Sequence, residues 1–152
     1  GVGVPPAVSQ AWLLLDGPAR QAGIALRWQA PMQPCWVWAD PVSLEQVLNN
    51  LVRNALDALS HVATSDANVE ITLSIDAKQA LLIVQDNGPG VDAATAQRMF
   101  EPFFTTKTDG MGLGLPLCAT LMERMGGNLE YVHSPRGACF VMHLPLASDD
   151  DF

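Results

Sequence analysis

The chain has 152 residues, 49% of them hydrophobic, which is enough for one domain with its own core and too apolar for a disordered segment. Its formal net charge of −8, with Lys and Arg together numbering 8, argues against a phosphate-tracking nucleic-acid surface and against direct contact with an anionic membrane. No run approaches the ~18 consecutive apolar residues of a membrane-crossing helix, and no charged-then-apolar leader opens the chain.

In chain order, the sequence starts at Gly1 rather than Met, so it is expected to be an excised piece of a longer protein. Ala7 to Leu15 has helical character, and Gly17-Pro18 is expected to break or kink it. Ile24 to Trp28 and Cys35 to Trp38 read as short strands around a Pro-rich turn at Pro31 and Pro34. Asp40-Pro41 is a helix start, an oxygen-bearing cap followed by a proline whose missing N–H is harmless there. From it to Leu59, Leu44, Val47, Leu48, Leu51, Ala55 and Leu59 follow the helical period. Residues 61–68 read as loop, then Val69 to Ile75 and Ala80 to Gln85 as two strands joined by a short turn.

After Gly88-Pro89-Gly90, residues from about Val91 to Met111 carry no long periodic element and are expected to form a lid with a short helix near Ala93 to Met99. Leu113 to Met125 reads as a second long helix with Leu113, Leu117, Leu121 and Met125 on one stripe, stopped by Gly126-Gly127. Pro116 fits only because it falls in the first turn. Strands near Asn128 to His133 and Ala138 to Leu144 close the domain, and Asp149-Asp150-Asp151 is a solvated tail. Short turns between adjacent strands favour an antiparallel or mixed sheet with helices on one face. Cys35, Cys118 and Cys139 are odd in number and widely spaced, as expected of reduced thiols in a cytoplasmic domain.

Three polar groupings could carry chemistry. Asn50, Asn54 and Asp57 stand at i, i+4 and i+7 of the first long helix, so they share a polar face. Such a face can simply be solvated, but an Asn amide oxygen is also a suitable ligand for Mg²⁺, which takes few protein ligands. Asp86-Asn87-Gly88-Pro89-Gly90 is either an ordinary turn or a strand-end carboxylate that accepts from an exocyclic amine, with Gly88 and Gly90 giving a flat ring close access. Gly110-Met111-Gly112-Leu113-Gly114-Leu115 opens the second long helix, where backbone N–H groups can converge on phosphate. This run lacks the P-loop Gly-Lys-Ser/Thr and the strand that precedes a dinucleotide fingerprint. Between the last two groupings, Phe100, Phe103 and Phe104 require burial, either simply as a satellite core beneath the lid or as anchors that also let Thr105, Thr106 and Lys107 face a nucleotide.

The order of these parts resembles the N, G1, F and G2 boxes of sensor histidine kinases, over Asp40 to Leu146. Asn49 to Ala58 and Phe100-Glu101-Pro102-Phe103-Phe104-Thr105-Thr106-Lys107 are the nearest stretches, and Gly137-Ala138-Cys139-Phe140 is similar to a late strand of the family. The wording most resembles the nitrogen-regulator and dicarboxylate-sensor subgroup. The resemblance implies an α+β fold, the Bergerat ATP-binding fold: a two-layer α/β sandwich with a mixed, mostly antiparallel sheet and helices on one face, shared with gyrase-, Hsp90- and MutL-type ATPases. It implies a single domain over residues 1–152 that binds ATP and Mg²⁺. Asn54 would be the metal ligand, Asn50 and Asp57 would line the phosphate and sugar side, and Asp86 would read adenine. Gly112 to Leu115 would cradle phosphate, although Pro116 removes one N–H from that run.

Hydrolytic relatives carry a Glu one turn before the metal-binding Asn; here the position is Asn50, whose amide is no general base. The resemblance therefore implies transfer of the γ-phosphate to a histidine on a separate dimerisation domain of a homodimeric parent, which can be an inner-membrane sensor, and then to a response regulator. His61, His133 and His143 lack the acidic neighbour and helical setting of the family's acceptor, so no catalytic residue is assigned within the chain. An ATPase or serine kinase of the same superfamily, and a nucleotide-sensing module without transfer, remain open alternatives.

Overall fold

The computed structural model describes residues 2–60, 66–76, 78–101 and 114–147. The elements run β1 (Val2–Gly3), α1 (Val4–Gln21), β2 (Ala25–Gln29), β3 (Trp36–Val37), α2 (Pro41–Ser60), β4 (Asn68–Ile75), β5 (Gln79–Asp86), α3 (Ala93–Arg98), α4 (Gly114–Arg124), β6 (Asn128–Val132) and β7 (Cys139–Pro145). Five strands form one sheet in the order β2-β4-β5-β7-β6, and β1 pairs with β3 in a small antiparallel ribbon. β2 lies parallel to β4, as the long crossover through α2 permits, and the other neighbours in the large sheet are antiparallel.

The strand register follows the alternation in the sequence. Val69, Ile71 and Leu73 of β4, Leu82 and Val84 of β5, and Met142 and Leu144 of β7 turn inward and are buried. The helices cover that face, with α2 packed against both α1 and α4. Helix α2 buries Leu44, Val47, Leu48, Leu51, Val52, Ala55, Leu56 and Leu59, the stripe expected from its period and somewhat more. Its start is held as the sequence suggested: the Asp40 carboxylate accepts from the Ser43 N–H at 3.0 Å and from the Ser43 hydroxyl at 2.7 Å.

Two sequence expectations are corrected. Helix α1 does not end at Gly17-Pro18 but continues through them to Gln21. Leu14, Gly17 and Pro18 are all on the exposed side, where water can satisfy the carbonyl that Pro18 leaves without a donor. Buried Leu15 and Ala19 hold the helix to the core on the opposite side. On α4, the expected stripe is not the most buried one: Leu117 is 45% exposed, whereas Cys118 and Met122 are fully buried. The buried stripe is thus offset by one position, with Cys118 facing Asn50 of α2. Leu113, like the expected loop residues 61–65 and the tail, lies outside the described residues.

Candidate functional site

Three elements meet at one end of the sheet. β5 ends on Asp86, the turn Gly88 to Gly90 follows, and the C-terminal turn of α2 packs against that turn. A Cβ at Gly88 would lie 3.2 Å from both the Asp86 Oδ1 and the Leu59 Cδ2, so a side chain there would crowd the carboxylate and the end of α2.

Asp86 is 5% exposed, the one buried charged side chain among the described residues. Its Oδ1 accepts from the Gly88 N–H at 2.9 Å and the Ala138 N–H at 3.2 Å. No described residue donates to Oδ2, and it is not sealed from solvent. The carboxylate is thus held at one oxygen and presents the other. Desolvation pushes its pKa above the ordinary 3.8, with the Gly88 and Ala138 hydrogen bonds opposing that rise.

The support from Ala138 depends on Gly137. Gly137 has φ +76°, and a Cβ there would strike the Asp86 carbonyl oxygen and sit 2.6 Å from Oδ1. Gly90, at φ +77°, faces the same point: its Cβ would lie 3.0 Å from the Gly137 carbonyl oxygen. Asn87 braces the turn from the other side. It accepts from the Asn68 N–H at 2.8 Å and donates to the Asp66 carbonyl at 2.8 Å, tying the turn to the start of β4. A depression of ≈ 360 Å³ touching Asp86 opens beside this brace, lined by Glu70, Gln85, Ser134 and Arg136. Glu70 and Gln85 alternate with the buried residues of their strands, so this depression lies on the open sheet face, away from α2.

Asn50, Asn54 and Asp57 are half-buried along one side of α2. The Asn50 Nδ2 donates to the thiol of Cys118 on α4 at 3.7 Å. Gly114 and Leu115, the first two residues of α4, are half-buried one turn before Cys118. The polar side of α2 therefore runs from the Asp86 turn to the start of α4. Thr105, Thr106, Lys107, Gly110, Gly112 and Leu113 lie outside the described residues. Of the three lid phenylalanines, Phe100 packs edge-on against Phe140 with ring centroids 6.4 Å apart, and Phe103 and Phe104 lie outside the described residues.

Two supports carried no local signal as site residues in the sequence. Ala138, with Gly137 before it, stands 52 positions from Asp86 along the chain, and Cys118 stands 68 from Asn50. His133 is exposed; His143 is a β7 residue whose ring contacts Glu130 at 2.9 Å and Gln79 at 3.2 Å. An acidic neighbour for His143 does exist across the strands, but on a sheet rather than on a helix.

A family profile described as histidine kinase-, DNA gyrase B- and HSP90-like ATPase matches residues 39–148. The chain is 38% identical over 146 residues to the C4-dicarboxylate transport sensor protein DctB of Pseudomonas aeruginosa, covering 94% of this chain and 24% of that sensor's length. The catalytic domain of histidine kinase ThkA superimposes with a TM-score of 0.83 at 27% identity, covering 95% of this chain and 93% of that one. ThkA in complex with the response regulator protein TrrA superimposes at 0.78 with 25% identity, over 96% of this chain and 41% of that one. Full-length ShkA in complex with AMPPNP superimposes at 0.80 with 30% identity, over 97% of this chain and 31% of that one.

Proposed function

Because the chain belongs to the histidine kinase-, DNA gyrase B- and HSP90-like ATPase family, and within it to the catalytic domains of sensor histidine kinases, we propose that it binds ATP with Mg²⁺ and presents the γ-phosphate to a histidine outside these residues. The observation that carries this reading is Asp86. A buried carboxylate with one oxygen fixed by two backbone N–H groups and the other open is suited to accept one directed hydrogen bond from the adenine amine. A guanine would instead offer its carbonyl oxygen toward that carboxylate and be repelled.

The polar side of α2 then faces the sugar and phosphates. Asn54 is the proposed metal ligand, and the Asn50 and Asp57 side chains flank it one turn to either side. These are hard oxygen donors, few in number, as Mg²⁺ requires when nucleotide phosphates and water complete its shell. When bound, the ion neutralises charge on the phosphates. Gly114 and Leu115 offer backbone N–H groups at the start of α4, with residues 105–107, 110, 112 and 113 proposed to complete the phosphate side.

Asn50 also supports transfer over hydrolysis. Its amide has no basic lone pair at neutral pH, and its nitrogen is engaged with Cys118. With an amide at position 50, where hydrolytic relatives carry the base, water is a poor nucleophile, and a histidine delivered by a dimerisation domain is the better one. We read the chain as one catalytic unit of a homodimeric two-component sensor whose phosphate passes to a response regulator, acting on the cytoplasmic side. No helix among the described residues is long and apolar enough to cross a membrane.

Labelled ATP supplied to the full-length protein tests the reading. Acid-labile, base-stable phosphate on a histidine outside residues 1–152 is expected. Phosphoserine, or rapid release of free phosphate with no labelled protein, would refute it.

A further inference from the structure

The contact between Asn50 and Cys118 joins α2 to α4, yet it adds little to stability, because a neutral sulfur is a weak acceptor. What it does is orient an asymmetric group. Cys118 is fully buried, and burial pushes its thiol up to about 11, so at neutral pH it stays an uncharged S–H. With Nδ2 turned to Cys118, Asn50 directs Oδ1 away from α4, and no described residue donates to that oxygen. An unrestrained amide could turn either end outward; this one turns out the oxygen, the end that suits a cation or its bound water. Asn50 lies one turn from Asn54 on the same side of α2, and Cys118 lies one turn into α4 from Gly114.

We propose that Cys118 is a positioning residue of the nucleotide site: its thiol holds the Asn50 amide with the oxygen toward the cation and phosphates, and it couples that amide to the seating of the α4 start. The inference rests on reading the polar side of α2 as the phosphate side. Alanine at position 118 removes the restraint and lets the amide turn, while serine keeps an acceptor at nearly the same place.

Titration of the chain with a non-hydrolysable ATP analogue, with magnesium and with chelator, tests it. Cys118→Ala should weaken the magnesium-loaded complex by about two- to threefold, the lower end for one hydrogen bond because sulfur is a weak acceptor, and should affect the chelated complex less. Cys118→Ser should recover most of that loss. In an Asn50→Ala background, Cys118→Ala should add nothing further. The Asn50 side-chain amide signal in nuclear magnetic resonance should move in Cys118→Ala while the sheet amides stay in place, which needs no nucleotide. Wild-type affinity in Cys118→Ala, or a loss that persists undiminished beside Asn50→Ala, would overturn the proposal alone. Failure of the unaltered chain to bind the analogue at all would overturn both it and the site reading beneath it.

Discussion

Gly137 has the most exacting position among the described glycines near the site. Its positive φ and the contact its Cβ would make with the Asp86 backbone leave no room for any other residue. Gly137→Ala is expected to lower stability by about 1–3 kcal/mol and to weaken nucleotide binding with it, since the Ala138 N–H would be pushed off Asp86. Thermal melting and ATP titration check the two effects together. Asp86→Asn keeps the shape but loses the charge; a tenfold or greater loss of affinity is expected, from a charge-assisted bond worth about 1.5–3 kcal/mol. Unchanged binding in Asp86→Asn would remove the adenine assignment. Acid should act on Asp86 with two signs. Its folded carboxyl titrates above 3.8, so the ionised group costs stability, and that cost is relieved as pH falls through its folded value toward 3.8. Binding runs the other way, because the adenine amine needs the carboxylate. Affinity should therefore fall over that window while this group's own contribution to stability rises, a divergence that calorimetry and melting at matched pH would reveal.

Elements were legible where periodicity was strong. α2, β4 and β5 fall within a residue or two of their sequence expectation, because one-sided burial imposes a period on each. α1 was misread at Gly17-Pro18, since a local breaker says nothing about whether its cost falls on a wet or a dry side of the helix. The structure makes a direct prediction there. A Cβ at Gly17 would meet nothing within 4 Å, so Gly17→Ala should stabilise the protein by roughly 0.5–1 kcal/mol and raise its denaturant midpoint. A fall would mean that α1 needs the glycine's freedom to pass Pro18. The start of α2 carries a pH signature of its own. Hydrogen bonds from the Ser43 hydroxyl and N–H hold the Asp40 carboxyl below 3.8, so its contribution is present above that value and is lost as pH falls through the lowered one.

For the whole molecule, the mixed sheet with one helical layer brings Asp86, the turn after it and the polar side of α2 to one end. Of the described histidines, His133 is exposed and His143 is tied to Glu130 and Gln79 on the open sheet face. If the acceptor lies outside the chain, His133→Gln and His143→Gln should leave labelling of the full-length protein within twofold of wild type, by acid-labile counts. Loss of labelling in either would return the acceptor to this domain.

By itself the sequence determined the family and the α+β class and named the candidate site residues, because the Asn-bearing helix, the Asp86 turn and the glycine run each have a fixed local spacing. It could not give the supports that long-range pairing creates. The β5–β7 register places Gly137 and Ala138 under Asp86, and the packing of α4 on α2 places Cys118 against Asn50. Tertiary structure decided those contacts, and with them which oxygen of Asp86 and which end of Asn50 remain free for a ligand. A side chain's type is written locally, whereas its orientation is set by neighbours 52 and 68 residues away.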